Sequence, residues 1–183
     1  DYQQFVSPHG PVQALVKKRA GGAFMLQVED EIDDGRSWEV PVLIAHRLID
    51  RGHPFATSDD EALMVVFATG QVDFDAGKAA ADQAVGAGEY HLSEKIRAAV
   101  PLLRDAAGRG ARVVCLIPPG PGSEEAVKLL ERALPNTNRW IARCETYGDI
   151  TATLDLAVSN LGATPNPLMI RPDPEQAARE AQA

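Results

Sequence analysis

The chain has 183 residues, of which 45% are hydrophobic and 24% are charged. This length and composition fit one folded domain, alone or with a tail, and exclude a disordered or fibrous protein. The formal net charge is −8 and Lys and Arg are spread along the chain, so we expect no nucleic-acid partner. Apolar runs such as 62–68 are too short to cross a bilayer, and no leader segment is recognisable. We therefore expect a cytoplasmic protein without membrane association.

Cysteine and histidine do not form a pattern that predicts a metal site. Cys115 and Cys144 fit small buried apolar residues better than a disulfide framework. The four histidines are scattered, with no paired cysteines and no helical His pair beside a glutamate. A Gly-Lys-Ser/Thr phosphate loop is absent as well. We expect neither a metal nor a cofactor.

The first half of the chain is rich in predicted strands, which cover 12–17, 24–28 and 62–68. The acidic segment 29–35 is predicted to be a loop, and apolar residues recur at helical spacing from Val40, with Pro41 in the first turn. A turn or hairpin should follow the third strand. Segment 76–89 is rich in Ala and Gly, and fits either a flexible excursion or a weak helix.

The second half alternates helices and strands, which favours α/β layering. The predicted elements are helices over 92–108, 123–134 and 150–161 and strands over 112–117 and 140–144. Ser93 and Ser123 are candidate N-caps, and we expect Pro101 to kink or shorten its helix. Segment 165–183 is rich in Pro, Ala and Glu and is predicted to be a tail or linker. The sequence thus predicts one α/β (α+β) domain over 1–164, with short mixed sheets and packed helices.

Two residues near predicted helix starts form a candidate catalytic pair. Ser37 lies just before the helix that begins near Val40, and Lys95 lies in the first turn of the helix over 92–108. A serine hydroxyl becomes a useful nucleophile when a neutral lysine accepts its proton, and the positive end of a helix dipole favours both the neutral lysine and an oxyanion. Taken alone, each residue is more typical of a helix cap or a solvated side chain.

Several short motifs occur in the order found in the proteolytic domain of Lon-type serine peptidases. Residues 33–39 resemble the family's Lys-Asp-Gly-Pro-Ser-Ala-Gly nucleophile loop, and 68–73 resemble its Thr-Gly-Glu strand end. Residues 92–99 are similar to the segment with the catalytic lysine, and 110–118 to the Gly-led strand that ends in Ile-Pro. The resemblance covers roughly 22–158, with a closing helix, short strand and terminal helix in the same order.

The resemblance implies a Lon proteolytic-domain-like fold and a serine endopeptidase with a Ser-Lys dyad. It assigns Ser37 as nucleophile and Lys95 as base, with Thr69 and Asp34 as supporting residues. It also implies a protein or peptide substrate, a homo-oligomer, and an ATPase motor in a separate chain or a missing domain. The first residue, Asp1, is compatible with an excised domain, a processed product or a missing natural start.

Three residues around Ser37 depart from the family's pattern: Arg36, Trp38 and Glu39 replace Pro, Ala and Gly. We expect Trp38 to crowd the substrate, and Glu39 to disfavour an oxyanion unless its carboxylate turns away. The alternative hypothesis is therefore a catalytically inactive Lon-like module for assembly or partner-protein binding. A Rossmann-like small-molecule binder is a third hypothesis. His91, four residues before Lys95, either contacts the same site or lies on the surface.

Overall fold

The fold is α/β, and the computed structural model describes residues 2–16, 35–87 and 91–161. The helices are α1 Tyr2–Val6, α2 Pro11–Val16, α3 Glu39–Asp50, α4 Leu92–Gly108, α5 Ser123–Ala133 and α6 Tyr147–Ser159. The strands are β1 Met64–Ala68, β2 Gln71–Asp73, β3 Ala84–Gly86, β4 Arg112–Ile117 and β5 Arg139–Arg143. The strand predicted over 24–28, the tail over 165–183 and all of the loop over 29–35 except Gly35 lie outside the described residues.

The main sheet has three parallel strands in the order β1-β4-β5. Its central strand β4 is buried on both faces because its side chains alternate between two hydrophobic clusters. Val114 and Leu116 pack with α2, α3 and α6, whereas Val113, Cys115 and Ile117 pack with α4 and α5. The sheet is thus covered by helices on both faces, as the alternation in the second half predicts.

A two-stranded antiparallel hairpin of β2 and β3 follows β1, which confirms the predicted hairpin. The loop between its strands is organised by the fully buried side chain of Gln83. Gln83 Nε2 donates to the Asp75 carbonyl at 2.8 Å, and Gln83 Oε1 accepts from the Asp75 amide at 2.7 Å. Up to residue 87, segment 76–89 is therefore an ordered loop with a short 3-10 turn over Ala80–Asp82 and the strand β3.

The strand predicted over 12–17 is wrong, because residues 11–16 form the helix α2. Pro11 occupies the first helical position, where a missing N–H costs nothing. Val12, Leu15 and Val16 are buried together at the spacing of one helical face. Lys17 lies outside the described residues.

The starts of α4 and α5 differ in detail from the prediction. The residue before α4 is His91, with a left-handed φ of 74°, and the residue before α5 is Gly122, so neither Ser93 nor Ser123 is the N-cap. The Ser123 hydroxyl instead donates to the Pro118 carbonyl at 2.7 Å. Pro101 does not shorten α4, which continues to Gly108. None of the helices in the described ranges is long and apolar enough to cross a membrane.

Candidate functional site

Ser37 and Lys95 meet in the folded chain. Lys95 Nζ donates a hydrogen bond of 2.6 Å to Ser37 Oγ, although the two residues are 58 positions apart in sequence. Both residues are partly buried, so the pair stands at the surface end of the packed helices and not in the core. A hydroxyl and an amine at this distance can exchange a proton directly.

The position of Ser37 is fixed by the main chain at the carboxyl end of β1. The Gly70 amide donates to the Ser37 carbonyl at 2.9 Å, and the Val40 amide donates to the Gly70 carbonyl at 3.0 Å. Gly70 has a φ of 135°, and a Cβ at this position would lie 2.6 Å from the Gly86 carbonyl oxygen. Glycine is therefore required where β1 turns toward the candidate nucleophile.

Lys95 is carried by the first turn of α4. Its amide donates to the His91 carbonyl at 2.9 Å, and the adjacent Ile96 is fully buried against the second hydrophobic cluster. His91 therefore supports Lys95 through its main chain. The exposed His91 imidazole lies 3.0 Å from the Glu94 carboxylate, measured from Nδ1 to Oε2.

Arg36 and Glu39 form an ion pair across the turn that carries Ser37. Glu39 is only 4% exposed, and its carboxylate accepts from Arg36 Nε at 2.7 Å and from Arg36 Nη2 at 3.0 Å. Both residues also bond to the main chain of Val72: the Val72 amide donates to Glu39 Oε2 at 2.8 Å, and Arg36 Nη2 donates to the Val72 carbonyl at 2.8 Å. The hydrogen bond to Glu39 raises the pKa of the Arg36 guanidinium above its ordinary value. The negative charge of Glu39 is thus paired with a cation and directed at β2.

The Trp38 ring packs against the N-terminal helix α1. Its centroid lies 5.2 Å from the Phe5 ring in an edge-to-face arrangement and 5.8 Å from the Tyr2 ring. Such contacts are favourable for aromatic pairs at these separations. Trp38 therefore links the residue beside Ser37 to the start of the described chain.

The two supporting residues are placed differently. Thr69 follows β1 and is 5% exposed, and within the described ranges its hydroxyl makes no hydrogen bond to Lys95. Its supporting role stays a prediction. Asp34 lies outside the described residues. No group of three His, Cys, Asp or Glu side chains suited to a metal ion occurs in the part of the chain that the structure describes.

The ion pair between Arg36 and Glu39 was not anticipated from the sequence, although a signal for it was present. Arg and Glu three residues apart at a helix start can pair, and a Glu in the first turn suits the helix dipole. Their bonds to Val72 depend on the chain returning through β2. The spacing of 36 and 39 alone carries no information on that contact.

Two helix N-termini lie close to the candidate pair, since Ser37 comes two residues before the 12-residue α3 and Lys95 lies in the first turn of the 17-residue α4. Positive potential at a helix N-terminus stabilises an oxyanion. The arrangement can therefore activate a hydroxyl for attack on a carbonyl. Comparison of the chain with protein-family models, with curated proteins and with solved structures gave no significant match.

Proposed function

We propose that this chain is a Lon-type serine peptidase that hydrolyses peptide bonds in protein substrates through a Ser37–Lys95 dyad. The observation that carries the proposal is the 2.6 Å hydrogen bond between Lys95 Nζ and Ser37 Oγ. These two residues are also the ones that the Lon resemblance assigns to catalysis. A surface lysine and a helix-start serine have no structural need to meet, whereas a dyad requires it.

The mechanism begins with an unprotonated Lys95 amine. Lys95 Nζ accepts the Ser37 proton while Oγ attacks the carbonyl carbon of the substrate, and the carbonyl oxygen becomes an oxyanion. Among the described residues, no backbone hydrogen bond uses the amides of Ser37 and Trp38. These amides at the start of α3 are suited to receive the oxyanion.

The second half of the reaction follows from the same two residues. The tetrahedral intermediate collapses when Lys95 returns its proton to the leaving amine, and an acyl-enzyme on Ser37 remains. Lys95 then accepts a proton from water as the water oxygen attacks the ester carbon. The second tetrahedral intermediate collapses as Lys95 gives this proton to Ser37 Oγ, which releases the carboxylic acid and restores the Ser37 hydroxyl and the neutral amine.

The departures around Ser37 are compatible with this chemistry. The Trp38 ring contacts Tyr2 and Phe5, and the Glu39 carboxylate contacts Arg36 and Val72, so both side chains have partners other than a substrate. Assembly as a homo-oligomer, a cytoplasmic location and an ATPase motor in another domain or chain belong to the same proposal.

The experiment is cleavage of an unfolded protein such as casein, followed by gel electrophoresis and mass spectrometry. We expect Ser37→Ala and Lys95→Ala to abolish cleavage. Lys95→Arg should abolish it too, because it keeps the charge but does not provide a neutral amine. Matched controls are Ser58→Ala and Lys128→Ala, which alter exposed residues elsewhere on the chain. Undiminished cleavage by either dyad variant would contradict the mechanism.

The second candidate function is a catalytically inactive Lon-like module that binds a partner protein. The observation that favours it is an apolar cavity of about 680 Å³ beside β1, between α3 and the segment 53–57. Phe55 and Leu63 line this cavity and are 55% and 67% exposed. Exposed apolar surface of this kind is typical of interaction sites. Absence of cleavage by the parent chain, alone and with an added ATPase partner, would favour this function.

A further inference from the structure

We propose that Arg36 and Glu39 are positioning residues, which hold the Ser37 turn against the main chain of Val72 and so keep Ser37 Oγ within reach of Lys95 Nζ. For its catalytic readout this inference rests on the proposed peptidase function. The resemblance to Lon-type peptidases does not provide it, since that family has Pro and Gly where this chain has Arg36 and Glu39.

Arg36 and Glu39 bond to the two main-chain groups of Val72, and we call this pair of side chains the clamp. The Val72 amide donates to Glu39 Oε2, and Arg36 Nη2 donates to the Val72 carbonyl, each at 2.8 Å. Val72 is the central residue of β2, and it faces Val85 across the hairpin. The two side chains therefore satisfy both main-chain groups of Val72, as a neighbouring strand would.

Ser37 lies between the two residues of the clamp in sequence, and a second set of bonds ties the same turn to Gly70. The Glu39 amide donates to the Arg36 carbonyl at 3.1 Å, which closes the turn, and the Gly70 amide donates to the Ser37 carbonyl at 2.9 Å. Gly70 and Val72 flank Gln71 at the start of the hairpin. The turn is thus held by side chains at Val72 and by main chain at Gly70.

The two side chains of the clamp differ in burial. The Glu39 side chain is 6% exposed, whereas the Arg36 side chain is 50% exposed. A substitution of Glu39 by an apolar residue leaves the buried Val72 amide without its acceptor, whereas Arg36→Lys keeps a positive charge beside the buried carboxylate. We therefore expect Glu39→Ala to displace Ser37 more than Arg36→Lys does.

The first test is steady-state kinetics of the full chain on casein. For Glu39→Ala we expect kcat to fall roughly 10- to 100-fold with KM within about threefold, because a small displacement of a nucleophile costs rate and not substrate binding. For Arg36→Lys we expect a smaller fall in kcat. The matched control is Asp155→Asn, which breaks the ion pair of Asp155 with Arg47 on α3 at 2.9 Å but leaves the turn intact. Its kcat should stay unchanged.

The second test is amide hydrogen exchange followed by NMR, which does not depend on cleavage. In Glu39→Ala we expect protection of the Gly70 and Val72 amides to be lost while the amides of β4 keep theirs. A role limited to overall stability would lower protection in β4 as well. The control Asp155→Asn should leave the Gly70 amide protected.

The outcomes separate the clamp from the peptidase. If the parent cleaves casein and Glu39→Ala keeps the parent's kcat, the clamp is overturned. If the parent cleaves nothing, the proposed function fails and exchange alone decides: lost protection at Gly70 supports the clamp, and retained protection overturns it. If Glu39→Ala does not fold, Glu39→Met is judged by the same two criteria, since it keeps the approximate size of the side chain without a carboxylate that accepts from Val72.

Discussion

Gly70 and Ser37 are joined through their main chains at the carboxyl end of β1. The Gly70 amide donates to the Ser37 carbonyl, and the Gly70 carbonyl accepts from Val40 in the first turn of α3. One glycine therefore connects the end of a sheet strand to the candidate nucleophile and to the helix that follows it. This connection brings the Thr-Gly pair after β1 and the serine before α3 to the same site.

Replacement of Gly70 should disturb stability and the dyad together. Gly70→Ala places a Cβ at a φ of 135° and 2.6 Å from the Gly86 carbonyl oxygen. Such backbone strain costs about 1–3 kcal/mol, and its relief requires residue 70, which is bonded to Ser37, and the Gly86 carbonyl to move apart. Urea denaturation and casein cleavage measure the two effects.

The control for this substitution is Gly108→Ala at the end of α4, where nothing lies within 4 Å of an added Cβ. It should change stability by no more than about 1 kcal/mol, with stabilisation as the expected sign. Equal effects of the two substitutions would contradict the role assigned to Gly70.

Trp38 should anchor α1. Trp38→Ala removes the ring contacts with Tyr2 and Phe5 and should lower the free energy of unfolding by about 1–3 kcal/mol. Trp38→Phe should retain part of that stability because an aromatic pair with Phe5 remains. Circular dichroism during urea unfolding provides the measurement, and limited proteolysis of residues 2–16 reports whether α1 detaches. A Trp38→Ala chain as stable and as resistant as the parent would show that the anchor is unimportant.

Asp149 should make stability depend on pH. The Asp149 carboxylate accepts from the Thr146 and Glu145 amides, which lowers its pKa below the ordinary value of 3.8. A folded-state pKa below the unfolded one gives a contribution that is present above the unfolded value and is lost as pH falls through the folded value. Because Asp149 is exposed to solvent, Asp149→Asn should cost only about 0.3–1 kcal/mol at neutral pH and progressively less below about pH 4. Urea denaturation of both chains across this range checks the sign, and a cost that grows with acidity would contradict it.

The two cysteines should be inert in the native protein. Burial raises the pKa of Cys115 and of Cys144 to about 12, so thiolate is scarce at pH 8 as well as shielded. We expect a disulfide exchange reagent to react only after denaturation, and iodoacetamide to leave casein cleavage unchanged. Rapid labelling of the native chain would contradict this burial.

Long periodic segments could be predicted from the sequence, because each one's pattern fits a single element. The apolar residues of α4 recur on one helical face, and the run in β4 has the length of a strand buried on both sides. Segment 12–17 was different, since Val12, Ala14 and Val16 fit a strand while Val12, Leu15 and Val16 fit a helix. Pro11 at a first helical position was the signal that favours the helix found in the structure.

The candidate site was only partly predictable. Ser37 and Lys95 were selected by the order of motifs, and their separation of 2.6 Å depends on how α3 and α4 pack around β1. The partners of Glu39 could not be derived, because one of them is a main-chain amide on β2. The sequence predicted a charge near the oxyanion. It contained no information on the contact that buries and pairs that charge.

The hydrogen bond between Ser37 and Lys95 joins the turn before α3 to the first turn of α4. These two helices pack on opposite faces of the main sheet, since α3 belongs to one hydrophobic cluster and α4 to the other. Neither face alone brings the hydroxyl and the amine together. A chain that is still being synthesised, or that has lost one face, therefore contains both reactive groups without the pair. We therefore expect any hydrolysis that depends on this contact to begin only after both faces of the sheet have packed.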